Sequence, residues 1–149
     1  MTTEEIAWAA GIFDGEGCIH IRRNAVTETS RHRTTHYALV TKVTMCHAPT
    51  IERLHRIFGV GHVGLQKGSA RKSPSASWYC MSKDAAAVLH CLKPFLFTKL
   101  EEAELGIAFS ELPTARHGRA RVPDDLLNRR EQFYLALRNI KGVSKYHNH

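Results

Sequence analysis

Apolar and polar positions along this chain change their spacing several times, and each change marks an element. Trp8 to Phe13 is almost wholly apolar and predicts a helix, begun near residue 3 by a capping box in which Thr2 pairs with Glu5. Its small residues Ala7, Ala10 and Gly11 make a face that a second helix can approach closely. The helix is expected to stop abruptly at Asp14-Gly15-Glu16-Gly17, because glycine destabilises a helix by ~1 kcal/mol relative to alanine and suits sharp turns. Residues 18–23 then read as a strand, 24–36 as a polar hairpin loop, and 37–45 as a second strand alternating apolar and polar positions. Pro49 opens a helix with Ile51, Leu54, Ile57 and Phe58 on one face, closed by Gly59. A short strand at 62–66, a flexible basic loop at 67–75 and a fourth strand at 76–82 follow. Residues 84–92 are helical until Pro94 intervenes, and a second capping box, Thr98 with Glu101, starts a helix running to Phe109. A basic connector leads to a last helix over 123–140. The predicted order is α-β-β-α-β-β-α with extra C-terminal helices, an α+β arrangement without internal repeats. Residues 1–142 form one domain in this reading, and 143–149 a disordered basic tail.

Charge narrows the partners. The chain of 149 residues carries 21 Lys+Arg against 14 Asp+Glu, a formal charge of +7, which suits a polyanion such as nucleic acid. Cys18, Cys46, Cys80 and Cys91 lie far apart with no Cys-x-x-Cys pair, so they read as reduced thiols and not as zinc ligands or a disulfide frame. No signal peptide or membrane-spanning run is present in the sequence, and the expected setting is soluble and intracellular.

The most specific chemistry lies where the first helix ends. Two carboxylates alternating with two glycines place oxygen donors at the mouth of a tightly packed helix, where a hard cation can be held. Ala9-Ala10-Gly11-Ile12-Phe13-Asp14-Gly15-Glu16-Gly17 resembles the LAGLIDADG homing endonuclease signature in all nine places, with Ala9 for the leading Leu and Glu16 for the final Asp. Phe58-Gly59-Val60-Gly61 resembles the family's turn after its second helix. Lys93 to Lys99 resembles the stretch that ends in its active-site lysine, and Asn139-Ile140-Lys141-Gly142 its terminal turn.

The resemblance implies a saddle-shaped antiparallel sheet lying along DNA with helices behind it. It also implies a homodimer of single-motif chains that uses Mg²⁺, with Mn²⁺ or Ca²⁺ able to substitute in binding, to cut both strands of a long, nearly palindromic site and leave 3′ overhangs. Glu16 is then the metal-binding acid and the Gly15 carbonyl an adjacent ligand. Asp14 supports the helix end at the dimer interface, beside Ala7, Ala10 and Gly11. Lys99 acts on water or phosphate near the metal. A polar residue after the second strand orders water in the family; Met45 departs from that pattern, and His47 is the substitute candidate.

Strand parity selects the DNA contacts. Ile19 and Ile21 point to the core, so His20, Arg22 and Asn24 point outward, as do Lys42 and Thr44 on the second strand. Gln66, Ser77 and Tyr79 are expected neighbours, although Trp78 and Tyr79 compete for the core in the fourth strand. Such side chains on a two-stranded ribbon can read base edges in the major groove. Arg31, Arg33, Lys67, Arg71 and Lys72 lie on loops and suit phosphate contacts. His147-Asn148-His149 lacks the context of an HNH nuclease, and His32 with His36 lacks further ligands, so neither is assigned a role. Two other readings stay open: a cleavage-inactive DNA- or RNA-binding protein of the same fold, such as a maturase or transcription regulator, and an unrelated basic α/β module.

Overall fold

A computed structural model of the chain describes residues 1–29, 34–114 and 121–144. Its elements in order are α1 (Thr3–Glu16), β1 (Gly17–Asn24), β2 (His36–Met45), α2 (Ala48–Phe58), β3 (His62–Gln66), β4 (Ser75–Met81), α3 (Ser82–Leu92), a 3-10 turn (Lys93–Phe95), α4 (Leu100–Ser110) and α5 (Asp124–Ser144). The strands form one antiparallel sheet in the order β1-β2-β4-β3. This is the predicted α-β-β-α-β-β-α order, continued by two helices. The last helix runs beyond the expected boundary at residue 142, and residues 145–149 lie outside the described part of the chain.

Alternation along the strands sorts side chains onto the two faces of the sheet. Ile19, Ile21, Leu39, Val43, Ala76, Trp78 and Cys80 face the helices and are buried with Phe13, Ile51, Leu54, Leu89 and Leu92. Trp78 settles the parity of β4. Its ring stacks on Phe58 at 5.2 Å, and its indole N–H donates to the Val60 carbonyl at 2.9 Å. Tyr79 is thereby turned outward. Gly61, at φ +86°, is what lets the chain pass so close, since a Cβ there would sit 2.5 Å from Cys80 Sγ. Burial pushes the Cys80 thiol up to about 11, making it an inert packing group. All four cysteines are free thiols.

The edge formed by β1 is stapled to α5. Glu131 accepts from Arg23 at 2.7 Å and from the Tyr37 hydroxyl, while Arg23 and Arg138 lie over the Tyr134 ring. Burial and the Glu131 hydrogen bond push the Tyr37 hydroxyl up to about 12, so it stays a donor. The opposite edge, β3, has no such cover among the described residues; Leu65 on its helix-side face is 75% exposed.

Candidate active site and nucleic-acid interface

The end of α1 differs from the abrupt turn expected at Asp14. The helix continues through Gly15 and Glu16 and stops only at Gly17, whose extended backbone (φ −75°, ψ 155°) begins β1. Capping by Thr2 and Glu5 is as expected, each side chain receiving the other residue's backbone N–H. A Cβ on Gly15 would meet nothing within 4 Å, whereas Gly17 is sterically required: a Cβ would lie 2.7 Å from Cγ of the buried Phe13 ring.

Asp14 explains how this helix end is fixed. Its carboxylate accepts the Phe97 N–H at 2.9 Å and the Lys99 N–H at 3.0 Å, tying α1 to the segment before α4. The expected capping box at Thr98 therefore does not form. Lys99 itself occupies the N-cap position of α4, without a side-chain cap, and its carbonyl accepts from Ala103. A carboxylate is a stronger acceptor than a threonine hydroxyl, and here it serves the backbone from outside the helix. The result is that Glu16, two residues from Asp14, and Lys99, which Asp14 holds by its backbone, belong to one hydrogen-bonded unit. Glu16 is exposed and Lys99 half-buried, and neither side chain has an ion pair or hydrogen bond among the described residues.

His47 lies at the same end of the sheet, because β1 begins there opposite the last residues of β2 (Gly17 pairs with Val43) and His47 follows β2 by two residues. It stands at the N-cap of α2, and its Nδ1 is 2.8 Å from Thr50 Oγ1. Met45 packs against the core and offers nothing polar.

Along α1 the exposed Ala7, Gly11 and Gly15 are spaced four apart and so aligned on one face. No atom lies within 4 Å of a Cβ built on Gly11 or Gly15. Ala10 corrects the expectation that it lies on this face: at 0% exposure it is part of the chain's own core, because position 10 falls on the side of the helix that carries Ala9 and Phe13. Asp14 is half-buried and turned toward the Lys99 segment.

The face of the sheet opposite the helices carries the expected contacts in adjacent registers. Cys18 faces Lys42, and Lys42 faces Tyr79, which faces His62; Thr44 faces Ser77, and Gln66 faces Ser75. Arg22, Asn24 and Gln66 are exposed, and His20, Lys42, Thr44 and Tyr79 half-buried. Ser77 departs from the expectation of a surface contact. It is 5% exposed, and its hydroxyl is 2.8 Å from that of Thr44, so each partly satisfies the other. The surface is electropositive: burial lowers the His20 pKa first, and the charges of Lys141, Arg22 and Lys42 lower it further. Lys67, Arg71 and Lys72 are exposed on the β3–β4 connection, which is less loose than expected, being pinched by reciprocal Ser69 and Lys72 backbone bonds. Arg31 and Arg33 lie outside the described residues.

Two residues of this surface escaped the sequence reading. His62 shares the parity of Gln66 and sits against the Tyr79 ring at 5.5 Å; two-residue alternation alone would have found it. Lys141 reaches Cys18 Sγ at 3.3 Å from the far end of α5, a contact across 123 positions that no local pattern reveals.

No family model matches the chain, and neither does any curated protein. Solved structures do. The homing endonuclease I-CvuI, in complex with the I-CreI target, superposes with a TM-score of 0.74 at 16% identity, over 90% of this chain and 80% of that one. The archaeal intron-encoded homing endonuclease I-Vdi141I, complexed with DNA, gives 0.72 at 12% identity over 91% and 83%. The chain has the LAGLIDADG homing endonuclease fold. The I-LtrWI LAGLIDADG homing endonuclease bound to target DNA gives 0.63 at 16% identity, and there the match covers 90% of this chain but 44% of that one. A LAGLIDADG fold of this size thus corresponds to most of the first two proteins and to under half of the third. Among the described residues no helix is long and apolar enough to cross a membrane.

Proposed function

We propose that this chain is a site-specific DNA endonuclease that works as a homodimer and uses Mg²⁺ to break both strands of a long, nearly palindromic site. The observation that carries the reading is the Asp14 bridge, which unites a carboxylate, Glu16, with a lysine, Lys99, both without a side-chain partner among the described residues, beside an electropositive sheet face. A metal fits Glu16 in kind, because an exposed carboxylate next to the Gly15 carbonyl offers the oxygen donors that hard cations prefer. No three potential ligands of the His, Cys, Asp or Glu type cluster among the described residues, so a metal on Glu16 would take its remaining donors from water, phosphate oxygens and a second chain. A twofold partner packed on Ala7, Gly11 and Gly15 supplies the second Glu16. Phe97, 91% exposed although its backbone is fixed to Asp14, offers that partner an apolar contact beside the same helix end.

The metal, when bound, supplies Lewis-acid stabilisation of the negative charge that develops on the phosphodiester oxygens. Glu16 binds it, Asp14 keeps Glu16 and Lys99 at a fixed separation, and the Lys99 ammonium donates to phosphate or to the attacking water. His47 holds water through the ring nitrogen that Thr50 leaves free. On the sheet, His20, Arg22, Asn24, Lys42, Thr44, Gln66 and Tyr79 read bases, while Lys67, Arg71 and Lys72 anchor phosphates.

Incubating the chain with a randomised DNA library in Mg²⁺ and sequencing the ends tests this directly. The expected product is one nearly palindromic site cut in both strands, with two chains per site by light scattering. Sites bound but never cut support instead the cleavage-inactive reading, and a monomer both free and on DNA overturns the twofold arrangement.

A further inference from the structure

A cavity lies away from this surface, at the opposite end of β2. Pairing of β2 with β4 ends at Val40 and Met81, while pairing with β1 continues to His36 and Asn24, so the start of β2 has a neighbour on one side only. The chain leaves β4 through Ser82, the one non-glycine residue with a left-handed backbone (φ +52°) among those described, and α3 swings off the sheet. A cavity of about 390 Å³ opens in the gap. Its wall on α3 is kept low by Ala86 and Ala87, and Phe109 at the end of α4 with Leu112 just beyond it completes an apolar lining. Five residues of β2 separate this region from Val43, the partner of Gly17, which puts it roughly 17 Å along the strand from the Glu16 end at ~3.4 Å per residue.

The polar lining has one sign. Lys83, His90 and Arg130 border the cavity, and among the described residues no Asp or Glu does. None of the three has an ion pair among the described residues. Arg130 is held in place by donating to the Pro113 carbonyl at 3.0 Å, and a guanidinium has further N–H groups to offer. We propose that this cavity binds a small amphiphilic anion, a compact aromatic or aliphatic body bearing one carboxylate. The body lies against Ala86, Phe109 and Leu112, and the carboxylate meets Arg130 and Lys83. The volume falls within the range of small-molecule sites, and few convergent polar groups on an apolar wall are what such sites share. The inference does not depend on the nuclease reading.

The test titrates 1-naphthoic acid into the isotopically labelled full chain and follows backbone amide shifts, with 1-naphthalenemethanol as the uncharged control. Saturable shifts are expected in residues 83–90 and 109–114, with the alcohol at least about tenfold weaker, equivalent to ~1.4 kcal/mol. Ala87→Phe, at an exposed position that fills the cavity, should abolish the shifts, and Arg130→Gln should weaken binding severalfold with the remaining spectrum unchanged. Equal affinity for acid and alcohol overturns the proposal. So do shifts centred on Arg22 and Lys42, shifts that survive Ala87→Phe in a folded variant, or no saturation up to the solubility of the probe.

Discussion

The two faces of the sheet are built from the same strands by the same alternation, yet they answer to different constraints. Toward the helices, Ile19, Val43, Ala76 and Trp78 are fully or almost fully buried, and their volumes must fit one another. On the other face, Arg22, Lys42, Tyr79 and Gln66 need only project, and the positive charges of Lys141, Arg22 and Lys42 add to the burial that lowers the His20 pKa. Even there the centre of β2 is closed: Val40 and Ala38 are buried between the flanking His20, Met81 and Arg22 positions. Apart from that closed strip, stability resides in one set of alternate residues and the proposed recognition in the other. Substitutions should separate the two properties cleanly.

The largest effect is expected where neither face is involved. Glu16→Gln keeps shape and removes the anion proposed to hold the metal, so cleavage in Mg²⁺ should vanish while DNA affinity and the melting temperature stay near those of the parent. Wild-type cutting by this variant would remove Glu16 from the site. Next comes the helix-side face. Trp78→Ala removes a ring that is fully buried, stacked on Phe58 and bonded to Val60, and should cost about 3–5 kcal/mol in chemical denaturation. That is a large part of the stability of an ordinary domain, ~5–15 kcal/mol. Base preference of the fraction still folded should not change.

Asp14→Asn probes the joint between the helix end and the Lys99 segment. An amide can accept one of the two N–H bonds but must present its own NH₂ to the other. A loss of about 1.5–3 kcal/mol, typical of hydrogen bonds to charged groups, should appear in stability. Cleavage should slow more than DNA binding weakens, because Lys99 is displaced relative to Glu16. Equal losses in both would make Asp14 a purely structural residue.

How far these features could be read without coordinates follows from the range of the forces involved. Strand parity from Ile19 and Ile21, the Thr2 box, and the glycine closing α2 are local matters of spacing and backbone geometry, and the chain states them plainly. The Thr98 box is equally plausible locally. It fails because Asp14, 85 positions away from Lys99, supplies a better acceptor. Ala10 is misplaced for a related reason: small residues on a helix suit a close partner or a crowded core equally well, and only the packing of Phe13 and the sheet decides. Trp78 and Tyr79 compete on equal terms until the Val60 carbonyl and the Phe58 ring are found on one side.

The outer face yields the smaller effects, and they divide by kind. Arg22→Ala and Lys42→Ala should relax preference at particular base pairs by about 1–3 kcal/mol each, at two symmetry-related positions if the protein is a twofold dimer. Arg71→Ala and Lys72→Ala should leave preference alone. Each should reduce the slope of log affinity against log salt by ~0.9 for every phosphate no longer neutralised, doubled where both copies of the residue engage DNA. The distinction rests on position. Lys42 is half-buried on a central strand with cross-strand neighbours Cys18 and Tyr79, which limit where its ammonium can go. Arg71 and Lys72 are exposed at a turn, where a long side chain follows the nearest phosphate whatever the sequence beneath it. If Arg22→Ala changed only the salt slope, β1 would be contributing charge and not base contacts, and recognition would have to lie with Gln66, Tyr79 and His62 on the other half of the sheet.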